Sequence, residues 1–96
     1  MLSTIPYDLS KVSGEDLEKQ ILRIGLIAEL DAINLYEQLA ALSQDEKIRK
    51  TFLNVAKEEK EHVGEFETLL MRNDPEQIKE LDKGSKEVEG LDQAAE

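Results

Sequence analysis

The sequence predicts an all-α protein: an antiparallel hairpin of two long helices plus a short C-terminal helix, incomplete by itself and completed to a four-helix bundle by a second copy. Three observations lead there. Ile48, Phe52, Val55, Glu59, His62, Phe66 and Leu69 follow a 4-3-4-3 rhythm that marks one face of a helix, and Leu22, Leu26, Glu29, Ile33, Tyr36 and Ala40 repeat it upstream. A short turn signal at Ser43-Gln44 separates the two series, and short helix connections make antiparallel neighbours. Each apolar seam is broken by residues that suit metal ligation, Glu29 in the first and Glu59 with His62 in the second.

Residues 1–12 show no sustained periodicity and contain Pro6, which predicts an extended arm. Ser13 with Asp16 resembles a helix N-cap whose hydroxyl accepts a bond from a first-turn N–H, so helix 1 is expected over Gly14 to Leu42. Its middle carries Ile21, Leu22, Ile24, Leu26, Ile27, Leu30, Ile33 and Leu35, too many for one ~100° stripe. More than one neighbour must cover this helix. Ser43 followed by Glu46 is a capping-box pattern that starts helix 2 at about Asp45. Asn73-Asp74-Pro75 ends it near Arg72, because Asp74 can cap a new helix and Pro75 suits its first position. The third helix is expected to stop at Lys83 before Gly84, leaving 84–96 as a tail that docks weakly or is disordered. The half-bundle domain is thus 13–83.

Composition narrows the function. With 22 acidic and 12 basic residues among 96, the net charge of −10 repels nucleic acid and anionic lipid and favours cations. The absence of cysteine removes disulfides and thiolate metal sites, leaving oxygen and imidazole donors that suit iron or manganese, with zinc also accessible. The N-terminus lacks the features of a secretion signal and no stretch approaches ~20 apolar residues, so a cytoplasmic location is expected.

The seam residues carry the chemistry. A carboxylate facing hydrocarbon costs several kcal/mol unless paired or neutralised, so two glutamates in seam positions need a reason. Glu59-x-x-His62 projects both side chains from one helix face, the arrangement used in di-iron carboxylate bundles, where a Glu from each of two other helices completes the site. Glu29 and Glu59 are each about 15 residues from Gln44, ~22 Å along their helices, which brings them level. One hairpin then supplies half a ligand set, and a two-fold pairing supplies four carboxylates and two imidazoles, enough charge to balance two divalent ions. A lone seam histidine is ordinarily a satisfied core or interface residue; the two glutamates weigh against that account here. Tyr36, two turns from Glu29, reads first as a core aromatic within reach of the site, and Asp31, Glu58, Glu61 and Glu65 as solvated faces that attract cations.

Glu29-Leu-Asp-Ala-Ile-Asn-Leu-Tyr36-Glu37, Glu58-Glu59-Lys60-Glu61-His62 and Leu69-Leu70-Met71-Arg72-Asn73-Asp74 resemble the encapsulated ferritins, over roughly residues 13–83. The resemblance implies a ferritin-like dimer with a di-iron ferroxidase centre at its interface, two Fe per dimer. It further implies dimers joined in a ring-shaped decamer inside an encapsulin nanocompartment. By motif position the iron ligands fall on Glu29, Glu59 and His62 and the site-proximal tyrosine on Tyr36. Two departures stand out: Leu35 replaces the tryptophan of a Trp-Tyr pair, and Ala28 leaves Asp31 alone as the acidic residue for metal entry. No shell-targeting peptide is evident after Gly90, and some members are fused to the shell protein, which makes a linker the other reading of the tail. The function so implied is oxidation of Fe(II) to Fe(III) by dioxygen, for iron storage. A rubrerythrin-like peroxide reductase and a non-enzymatic helical adaptor, with seam polars that only fix register, are the rival readings.

Overall fold

A computed structural model describes residues 8–95. After a 3-10 turn at Leu9–Lys11, the chain forms α1 (Gly14–Leu42), α2 (Glu46–Asn73) and α3 (Pro75–Ala95), with no strand among the described residues. The all-α architecture predicted from the two seams is the observed one. Of the arm expected over 1–12, residues 1–7 lie outside the described residues. The part that follows is a tight turn rather than extended chain, since Asp8 Oδ1 accepts bonds from the Ser10 N–H and hydroxyl at 3.1 and 2.6 Å.

Ser13 occupies the N-cap position of α1 with extended backbone, yet its side chain does not cap. Its hydroxyl donates to Asp16 Oδ2 at 3.2 Å, because a carboxylate one turn on is a stronger acceptor than the hydroxyl is. The capping box is also not used. Asp45 caps α2, its Oδ1 accepting from the Lys47 and Ile48 N–H groups at 2.9 and 3.0 Å. Ser43 instead braces the turn, with Oγ 3.2 Å from both the N and the O of Asp45. An ionised cap next to the helix wins over a serine two residues further out, since charge-assisted bonds are the stronger kind.

α1 and α2 pack as the antiparallel hairpin. Ala40 is buried near the turn, Ile33 and Ala56 at about the same level further along, and Leu70 towards the far end. Ile21, Ile27, Leu30, Ile48, Leu53 and Leu69 remain exposed, so a single hairpin leaves much of the apolar surface of both helices uncovered. At the corner, Asp74 is buried and bound twice: Arg23 Nη2 donates to its Oδ2 at 2.8 Å, and the Gln77 N–H donates to its Oδ1 at 3.3 Å. One carboxylate thereby starts α3 and ties its root to α1.

The expected end of the third helix at Lys83 is corrected. α3 continues to Ala95, passing through Gly84, which does not take the positive φ of a helix-terminating glycine. Lys86 pairs with Asp82 at 2.9 Å across Gly84, and Lys83 pairs with Glu80 at 3.5 Å in the turn before it. From Ile78 to Gln93 every residue is exposed. The radius of gyration, 17.2 Å, exceeds the about 12–13 Å of a compact chain this long. Among the described residues no helix is long and apolar enough to cross a membrane.

Candidate metal centre

Glu29 reaches the site from the middle of α1, and Glu59 and His62 from the middle of α2. Their levels match because both helices run about the same length from the turn. The three donor atoms lie within 4.8 Å of one another, and this is the one cluster of its kind among the described residues. His62 Nδ1 is 3.3 Å from Glu59 Oε2 and 3.4 Å from Glu29 Oε2. The carboxylates are mostly buried, with 19% of the Glu29 side chain and 18% of the Glu59 side chain exposed, while His62 keeps 44% and opens the site to one side.

One feature of the trio decides what it suits. A single Nδ1 proton can be directed at one acceptor only, and it has a hydrogen-bond geometry with Glu59. Glu29 Oε2 is left fully buried with no hydrogen-bond partner. Buried carboxylate oxygens are almost always satisfied, and an unmet one costs ~1–3 kcal/mol or more. A cation placed among the three donors would satisfy all of them together. The donor set, two carboxylate oxygens and an imidazole nitrogen, suits iron or manganese.

Tyr36 stands outside the trio, its ring stacked on Phe52 with centroids 6.0 Å apart and planes 26° from parallel. Asp31 is half-buried on α1 and does not join either, since two residues from Glu29 means ~200° around the helix. Glu58, Glu61 and Glu65 are exposed, as their positions off the seam imply. On the outer side of the hairpin Lys60 Nζ pairs with Glu37 Oε2 at 3.6 Å, an exposed contact worth ~0–1 kcal/mol. Sequence reasoning placed Phe66 in the α2 seam without a role at the site, and passed over Arg23 and Gly25. The available signals were a cation and a glycine inside an apolar helical run, both unusual there.

Comparison with known proteins bears on this geometry. A family model described as EncFtn-like matches residues 6–85, which takes in all three ligand candidates. The chain belongs to the EncFtn-like family. Among relatives of this EncFtn-like chain, a ferritin-like-encapsulin shell fusion protein of Pyrococcus furiosus is 61% identical over 72 residues, 75% of this chain and 21% of that protein. The encapsulin nanocompartment cargo protein EncC of Myxococcus xanthus is 39% identical over 67 residues, 70% of this chain and 51% of that one. The chain thus spans about a fifth and about a half of these two curated relatives. The crystal structure of the encapsulated ferritin domain from Pyrococcus furiosus superposes with a TM-score of 0.81 at 52% identity, covering 95% of each chain. The resemblance read from the ligand motifs is therefore the family that the whole domain matches.

Proposed function

We propose that this chain is one half of a ferroxidase, which takes Fe(II) as substrate at a site shared by two copies and passes its electrons to dioxygen. The observation that supports this reading is the convergence of Glu29, Glu59 and His62 around a buried carboxylate oxygen that nothing else satisfies. Two such trios facing each other across a two-fold axis provide four carboxylates and two imidazoles for two iron ions, charge-balanced when all four glutamates are ionised. Two Fe(II) ions would together give two electrons to one dioxygen, which with two protons leaves as hydrogen peroxide. The protein's part would be to hold the iron: Glu29 and Glu59 would bind it through carboxylate oxygens and His62 through an imidazole nitrogen. The half-exposed edge of His62 leaves the substrate a way in, and the surrounding acidic surface raises the local concentration of cations. Tyr36, two turns from Glu29 on the turn side, is the tyrosine this reading assigns to the site, and Asp31 is the candidate for metal entry.

The exposed apolar residues of α1 and α2 support burial against further copies, consistent with dimers assembling into a ring-shaped decamer. Kinship with a shell fusion protein and a nanocompartment cargo protein supports an encapsulin shell as partner and the interior of that shell as the working location. An open ring encloses no mineral, so storage would fall to the shell.

The deciding test is anaerobic equilibrium dialysis with Fe(II), on the wild type and on Glu59→Ala. One iron per chain, lost in the variant, is expected, followed by oxygen consumption when air is admitted. Negligible tight binding by the wild type would make the seam polars structural, and stronger self-association of Glu59→Leu with His62→Leu would then favour the adaptor reading. Faster reaction with hydrogen peroxide than with dioxygen would favour the peroxide reductase.

A further inference from the structure

Gly25 lies in the interior of α1, where glycine weakens a helix relative to alanine. It is also the one glycine of five with a neighbour where a Cβ would stand. Phe66 Cδ2 and Cε2 are 3.5 Å from that point and Cγ 3.8 Å, whereas nothing comes within 4 Å at Gly14, Gly64, Gly84 or Gly90. The Phe66 ring therefore faces α1 at Gly25, with room for a methyl group between them. Gly25 is one helical turn before Glu29, and Phe66 is one turn after His62. Residues four apart are neighbours on a helix face, so the ring lies in the layer next to the metal trio, on the side away from the hairpin turn. On the turn side the layer one turn from the trio is aliphatic, Ile33 on α1 and Val55 on α2, and the Tyr36–Phe52 stack lies a further turn away. Phe66 is therefore the aromatic residue that stands one turn from the trio.

We propose that Phe66, whose ring faces Gly25, is a positioning residue for the metal centre: its ring walls off the side away from the turn, limits the water that reaches the bound ion and keeps Glu29 and His62 converged. The inference rests on the metal-binding reading of the trio. The physical basis is that the apolar shell around a metal site controls solvent access and local dielectric, and through them affinity. Phe66 itself offers no ligand. It acts through the residues one turn away.

The test uses Mn(II) as probe on the full chain, with affinity taken from the electron paramagnetic resonance signal of the free ion. Water-proton relaxation per bound Mn(II) reports the water exchanging on it. Phe66→Ala is expected to raise the relaxivity of bound Mn(II) by about half or more and to weaken binding ~10-fold, the lower end for loss of a supporting shell. Phe66→Leu, which keeps most of the volume, should stay within about twofold of the wild type on the same grounds. Gly25→Ala should leave both readouts unchanged, because 3.5 Å is an ordinary contact for a methyl group. If Phe66→Ala fails to fold by circular dichroism, Phe66→Val takes its place with the same expectation. Unchanged relaxivity in the opened variant, or an equal rise in Leu70→Ala, a core truncation outside this layer, overturns the inference while leaving the metal site standing. Uptake of neither Mn(II) nor Fe(II) by the wild type overturns the metal reading and this inference with it.

Discussion

The hairpin and α3 are written in the same kind of amphipathic sequence, yet they meet opposite fates. α1 and α2 bury Ile33, Ala40, Ala56 and Leu70 between them, whereas Ile78, Leu81, Val88 and Leu91 on α3 are 43 to 71% exposed. The difference shows that forming a helix and burying one are separate events. α3 is helical for local reasons, a cap at Asp74, Pro75 in the first position and ion pairs one turn apart. The hairpin is held by burial, and only burial brings side chains from two helices to one point. That is why Glu29, Glu59 and His62 converge in the hairpin and no such cluster is found on α3 among the described residues.

Three changes would break or sharpen this contrast. The largest effect should come from the hairpin core: Leu70→Ala is expected to lower stability by ~2–5 kcal/mol, because the packed site cannot collapse around the lost methyl groups. Chemical denaturation reads it directly, and a loss under about 0.5 kcal/mol, the range of surface changes, would mean that the hairpin is no better packed than α3. Next comes the corner. Asp74→Ala removes both the Arg23 pair and the cap of α3, for ~1–3 kcal/mol once the exposure of Arg23 is allowed for. Asp74→Asn should recover about 1 kcal/mol of that, since asparagine caps as well but does not pair with the guanidinium. Equal losses in the two variants would assign the whole effect to the ion pair. The smallest effect belongs to α3 alone: Gly84→Ala should gain up to about 1 kcal/mol of helix stability and raise the ellipticity at 222 nm. A drop in helicity would show that Gly84 terminates the helix after all.

The missed end of α3 and the seam that was read correctly have one explanation. Gly84 was taken as a stop because glycine commonly ends helices, but a glycine ends one only by turning to positive φ, and none in the described residues does. Local chemistry on both sides favoured continuation. The caps failed in a related way: Ser13 and Ser43 were assigned the role of acceptor, while Asp16 and Asp45, charged and close by, supplied the stronger acceptors. The seam was legible because its signal is periodic and long, so that no single local competition could erase it. Glu29, Glu59 and His62 stood out as polar residues in apolar slots, and the spacing from the turn brought them level. The Arg23–Asp74 pair spans 51 positions and leaves no periodic trace, which is why the sequence reading found the cap in Asp74 but not its partner.

The sequence by itself determined three helices, the antiparallel turn and the three residues that meet across it, because helical periodicity fixes how each residue is rotated about its own axis. It could not determine how closely two axes approach or which atoms then face each other. Tertiary structure alone decided that Glu29 Oε2 is left buried without a hydrogen-bond partner, that the Phe66 ring faces Gly25, and that Arg23 ties down the root of α3. Each is a matter of distance between helices, and distance is set by the side chains that pack between them.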